Sequence, residues 1–121
     1  MRIIRLVLLL SLLAALASAC GSSQPSLVGT WEGTYESTTI TVTFSQDGRI
    51  TMQAYGESSE GTYQVDLAAK PASLDLQFAG EEPVATIIEF VDANTLRMEN
   101  NYPGGDRPTT FSDYLDLTRQ Q

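Results

Sequence analysis

The side chains able to do chemistry in this chain are nearly all carboxylates. Fifteen aspartates and glutamates stand beside seven basic residues, a single cysteine (Cys20) and no histidine in 121 residues. Without an imidazole there is no general base of the Ser-His-Asp or Cys-His kind and no histidine-bearing metal site. Paired acids are the remaining catalytic arrangement, and Glu57 with Glu60, or Glu81 with Glu82, have the residue types for glycoside hydrolysis. Both pairs fall in segments that read as turns, where nothing sets the two acids of a pair against each other. Asp92 with Asn94, and Asn100 with Asn101 and Asp106, offer oxygen ligands for calcium. Neither group follows a calcium-loop spacing, and polar turn chemistry accounts for both. No glycine-rich loop leads from a strand pattern into a helix, so no phosphate cradle is expected. The chain is therefore read as non-enzymatic, with no cofactor and no metal.

The cysteine has a context of its own. Arg2 and Arg5 precede an apolar and small-residue run, Leu6 to Ala17, and then Ser18-Ala19-Cys20. A short basic segment, an apolar stretch too short to span a bilayer and a small-residue cleavage site make a signal-peptide pattern over residues 1–19. Ala17-Ser18-Ala19 suits ordinary signal peptidase. Ala17-Ser18-Ala19-Cys20 also resembles the bacterial lipobox, with alanine where that family usually has leucine three residues before the cysteine. A lone thiol in an exported chain can form no internal disulfide, and acylation gives it a purpose. The lipobox resemblance implies diacylglycerol on Cys20, usually a further acyl chain on the new amino terminus, and an outer-membrane destination, since Gly21 rather than aspartate follows. Two or more acyl chains anchor stably where one does not. The alternative address is a soluble secreted or periplasmic protein.

Removal of residues 1–19 leaves one domain's worth of chain. Its five basic residues against fifteen acidic ones give a net charge of −10, which argues against nucleic acid as a partner. Residues 20–26 are read as the lipid-bearing cysteine and a flexible tether, GSSQPS, with a reach of about 13 Å.

From Leu27 to Arg119 the elements that must position any site are strands. Apolar residues recur at every second position: Trp31 and Tyr35; Ile40, Val42 and Phe44; Ile50 and Met52; Tyr63, Val65 and Leu67; Leu74, Leu76 and Phe78; Val84, Ile88 and Phe90; Leu96 and Met98; Phe111, Leu115 and Leu117. Asp47-Gly48 is a hairpin signal. Gly56 and Gly61 bracket ESSE as a turn, and NNYPGGDRP, residues 100–108, is the longest break. Eight short strands joined by short connections predict an all-β fold: an antiparallel up-and-down eight-stranded barrel, preceded by a helical signal peptide.

The segment LVGTWEGTY, residues 27–35, resembles the opening strand of lipocalin-like proteins, whose fingerprint is Gly-x-Trp, here Gly29-Thr30-Trp31. In that family a basic residue near the end of the barrel packs across the tryptophan, and Arg119 is the position that matches. The whole pattern is similar to small bacterial lipocalin-like domains of unknown role, with Phe44 to Gly48 and Arg107-Pro108…Phe111 as further points of likeness. The resemblance implies that Gly29, Trp31 and Arg119 close one end of the barrel, with Gly29 letting backbone approach the ring.

Two functional expectations follow. One is a membrane-anchored module that binds a small apolar or amphipathic ligand at the cell envelope, at an open end near Tyr55, Tyr63, Tyr102, Arg107 and Phe111. The other is a structural or protein-interaction lipoprotein with a filled barrel, including an inhibitor-type module that uses the 100–108 loop. Eight strands enclose just enough space for either.

Overall fold

Thr38–Phe44 reads TTITVTF, a run in which β-branched threonines alternate with larger apolar residues. Such residues have stiff side chains that suit an extended, half-buried backbone. The computed structural model describes residues 25–121. The expected leader, residues 1–19, the acylation site Cys20 and residues 21–24 of the tether lie outside the described residues.

Among the described residues all regular structure is β: β1 (Gly29–Tyr35), β2 (Thr38–Phe44), β3 (Arg49–Ala54), β4 (Glu57–Asp66), β5 (Ala72–Phe78), β6 (Val84–Asp92), β7 (Thr95–Glu99) and β8 (Tyr114–Arg119). Each strand pairs antiparallel with the next, and β8 returns to β1 to close the barrel. Closure leaves no exposed sheet edge. The closing seam is short, pairing only Trp31↔Arg119 and Glu32↔Thr118. Above it the Tyr35 hydroxyl donates to the Asp113 carboxylate at 3.0 Å, and below it the Gln120 N–H donates to Thr30 O at 2.8 Å. Gly33 is required at the seam because a Cβ there would stand 2.6 Å from Asp116 O.

Two sequence boundaries move. The ESSE segment is strand, not turn: Glu57–Asp66 pairs with β3 from Ala54↔Glu57 to Arg49↔Thr62. Its first four residues are all exposed, so no apolar alternation marked them. The last strand starts at Tyr114 rather than near residue 110, which leaves Phe111 in the preceding connection.

The core occupies one half of the barrel. Trp31, Phe44, Ile50, Leu74, Ile88 and Leu96 are all essentially buried there. They lie toward the end that carries the start of β1 and the end of β8, called the closed end below. The turns β1–β2, β3–β4 and β5–β6 and the β7–β8 connection lie at the other, open end.

The β7–β8 connection, residues 100–113, is pinned rather than free. Arg107 donates to the carbonyls of Leu74 (3.3 Å) and Thr86 (2.8 Å) and pairs with Asp75 at 2.6 Å. This draws the loop down the outer wall of β5 and β6. It also explains why Ile87, on the opposite face of β6 from the core residue Ile88, is only 2% exposed. Glu99 closes the other side of the same loop. Its carboxylate accepts from Ser112 N (2.9 Å), Ser112 Oγ (3.1 Å) and Asp113 N (3.0 Å). Those bonds offset the cost of burying a charged group.

Candidate functional site at the open end of the barrel

At the closed end the chain seals itself. The Trp31 indole is fully buried and donates to Leu27 O at 3.0 Å. The Arg119 guanidinium lies over its ring, 4.2 Å from the centroid, where the negative π face attracts a cation. The same guanidinium donates to Ser26 O (2.7 Å), Val28 O (3.1 Å) and Ala93 O (3.3 Å), so it ties the segment entering β1 and the end of β8 to the β6–β7 turn. Gly29, Trp31 and Arg119 thus meet at one place. The gap at Gly29 is filled by the guanidinium and not by the ring. Gly29 has φ +140, and a Cβ would lie 3.0 Å from Arg119 Nη1.

Above this plug the inward-facing side chains no longer fill the barrel. Ile40, Val42, Met52, Leu76, Val84, Met98, Leu115 and Leu117 wall a cavity of about 310 Å³. Alternation supplies these residues two positions nearer the open end than core residues of the same strands: Met52 above Ile50, Leu76 above Leu74, Met98 above Leu96. Val42 and Leu117, both fully buried, form the floor. Polar groups gather at the mouth, Glu81 from the β5–β6 turn and Asn100 and Asn101 from the β7–β8 connection, beside Pro103. Thr86 alone brings a hydroxyl into the wall, and that hydroxyl donates to Glu99 O at 2.6 Å. An apolar chamber with a few polar groups at its rim is the form that small-molecule sites commonly take.

The rim is held by a network. Asn100 Nδ2 donates to the Tyr35 hydroxyl and to Asp113, each at 3.2 Å. Asn101 Nδ2 donates to Ala85 O (2.7 Å) and Asp106 O (3.0 Å). The hydrogen bond to the Asp113 carboxylate holds the Tyr35 phenol above its ordinary titration range.

A second, shallower concavity of about 500 Å³ lies low on the wall, lined among others by Pro25, Leu67, Lys70, Phe90 and Phe111. It opens where the β5–β6 ladder ends at Ala72↔Ile88.

The five aromatic and basic positions singled out from the sequence are dispersed. None of them lines the interior cavity. Tyr55 and Tyr102 stand on open-end connections with 68% and 70% of their surface in solvent. Tyr63 belongs to the closed half, edge-on to Phe44 at 5.0 Å, with its hydroxyl donating to Ser45 O at 2.7 Å. Burial first, and Asp47 second, raise its pKa. Phe111 packs beside Tyr114 and faces the outer concavity. Arg107 braces the loop from outside. The residues that do line the chamber were recognisable as inward-facing by parity. Their height in the barrel, which separates chamber from core, follows only from the meander, in which alternate turns share an end.

Of the groups considered for calcium, the Asp92 carboxylate is engaged within its own turn, and Asn101 is held through its amide nitrogen. Asp92 Oδ1 accepts from Asn94 N at 2.8 Å, and Asn101 braces its own loop. Among the described residues no group of three or more His, Cys, Asp or Glu is arranged to hold a metal ion.

The architecture is compatible with a lipocalin-like fold. No protein-family model matches the chain, and comparison with curated proteins and with solved structures finds no match.

Proposed function

We propose that this chain is a non-enzymatic binding module of the bacterial cell envelope, attached through a lipid on Cys20, that takes up a small apolar or amphipathic molecule through the open end of its barrel. The observation that carries this reading is the apolar chamber of about 310 Å³ above a sealed floor. At about 30 Å³ for a water-sized group, that space accepts a body of roughly ten heavy atoms. The absence of histidine supports a binding role over a catalytic one. So does the state of the one buried carboxylate, Glu99, whose two oxygens both accept hydrogen bonds.

Titration calorimetry with 1-octanol tests the reading. We expect saturable binding with Kd below about 1 mM, which corresponds to roughly −4 kcal/mol or better. Met52→Trp and Leu115→Trp, which fill the chamber from opposite walls, are each expected to abolish it while the circular dichroism of the barrel is retained. Binding that survives both substitutions places the ligand elsewhere. Export and acylation are tested separately by Cys20→Ala, which should release the protein from membranes and lower its mass by that of the lipid.

A second reading, an interaction module, is favoured by one observation: Tyr102 is presented to solvent on a loop that Arg107 and Glu99 hold rigid. Under it, Tyr102→Ala abolishes capture of a protein partner from the host envelope and 1-octanol does not bind.

A further inference from the structure

Resting on the reading that the chamber holds a ligand, we infer the charge of that ligand: it is a cationic amphiphile, an ammonium group on a short apolar body. Two independent features of the open end lead there.

The first is the sign of the charge around the mouth. Glu36 in the β1–β2 turn, Glu57 at the start of β4, Glu81 and Glu82 in the β5–β6 turn, and Asp113 just before β8 all belong to the open end. Among the described residues the one basic residue in an open-end connection is Arg107, and its guanidinium is spent on the outer wall rather than at the mouth. Arg49 and Arg119 sit at the closed end, and Lys70 follows β4 at that same end. Arg97 and Arg107 are committed on the outer wall, to Asp116 at 2.9 Å and Asp75 at 2.6 Å. Like charges gathered at a low-dielectric opening focus the potential there and draw in the opposite sign.

The second is the hydrogen-bonding character of the lining. Four side chains bring polar atoms to the chamber without being sequestered by the loop: Glu81, Thr86, Asn100 and Asn101. Every donor among them is already used. The Thr86 hydroxyl donates to Glu99 O, and both asparagine Nδ2 atoms are bound to oxygens of the protein. Pro103, also at the mouth, has no N–H to offer. What remains is acceptors: Oδ1 of Asn100 and Asn101, and the Glu81 carboxylate, which forms no ion pair among the described residues. An ammonium is the matching group, with three donors and no acceptor. A carboxylate or phosphate head would meet negative charge and find no side-chain donor.

The test is a matched series of eight-carbon compounds, octylammonium, 1-octanol and octanoate, titrated calorimetrically into the wild-type protein and into Glu81→Gln at low and at physiological salt. Octylammonium is expected to bind about ten-fold tighter than 1-octanol, and octanoate more weakly than either. Raising the salt should narrow the gap, because the mouth is open to solvent. Glu81→Gln, which keeps the size of the side chain, should lower the ratio of ammonium to alcohol affinity about three-fold. If 1-octanol or octanoate binds as tightly as octylammonium, the inferred charge is wrong while the binding role stands. If none of the three binds, the binding role fails with it.

Discussion

The two ends of this barrel are built from the same alternation and come out as opposites. At the closed end, large inward side chains cluster together: Trp31, Phe44, Ile50, Leu74 and Leu96 are essentially buried, and Arg119 caps the indole from outside. Three cations, Arg49, Lys70 and Arg119, share that end with Asp47, Asp66 and Asp92. At the open end the inward residues stop short of the axis, a chamber remains, and the charge is predominantly negative, with Arg107 paired to Asp75 on the outer wall. The lesson is a division of labour set by volume. One packed half supplies the cooperative core, and that frees the other half to stay hollow.

Substitutions sharpen or break this contrast. Trp31→Ala should cost about 3–5 kcal/mol of unfolding free energy in urea titration, because it empties the fullest part of the core. Met52→Ala, on a half-buried side chain that already borders empty space, should cost less than about 2 kcal/mol. Equal costs would mean that the two halves do not differ in packing.

Glu99→Ala comes next. It leaves the Ser112 and Asp113 amides and the Ser112 hydroxyl without their acceptor, and should cost about 1.5–3 kcal/mol. Hydrogen exchange at those two amides should accelerate well beyond that of the strands. Unchanged protection there would show that Arg107 alone holds the loop.

Arg119→Met keeps the length of the side chain but removes the cation over Trp31, and should cost about 0.5–2 kcal/mol. Trp31 is the only tryptophan, so its near-ultraviolet dichroism reports the change directly. Gly29→Ala should shift the same signal by displacing the guanidinium.

The smallest effect is alkaline. Tyr35 at the open end and Tyr63 in the closed half both titrate above the ordinary value of about 10. A raised folded-state pKa means that the protonated phenol is favoured in the folded protein. Its contribution is full below the unfolded value and is lost as pH rises through the folded one. Stability should therefore fall above pH 10 or so. Tyr35→Phe and Tyr63→Phe should each remove part of that dependence, measured by denaturant titration across pH 9–12.

Some of this was open to reading from residue order. The even spacing of Ile40, Val42 and Phe44 and the Asp47-Gly48 turn identify strands and a hairpin, because each is a local pattern with a local cause. Of the open-end hairpins, β1–β2 carried no such mark, whereas Gly56 and Gly80 stand in the other two turns. Glu36, Ser37 and Tyr55 adopt positive φ without being glycine, a conformation that the paired strands impose on them. The four exposed residues that begin β4 became strand because β3 lies beside them. The aromatics expected together at the open end are dispersed for a related reason: Tyr63 and Tyr102 are comparably aromatic, yet they lie on opposite halves of the barrel.

Residue order alone settled how the chain alternates, how many strands it makes and which face of each strand is apolar, since these depend on neighbours one and two positions away. It left undecided which apolar faces would be filled and which would stay empty. That depends on the height at which each side chain meets seven other strands across the closed axis, and on a loop drawn down the outer wall by Arg107 and Glu99. Volume is shared among distant residues, and so the chamber, with its acceptor-lined mouth, exists only once the barrel is shut.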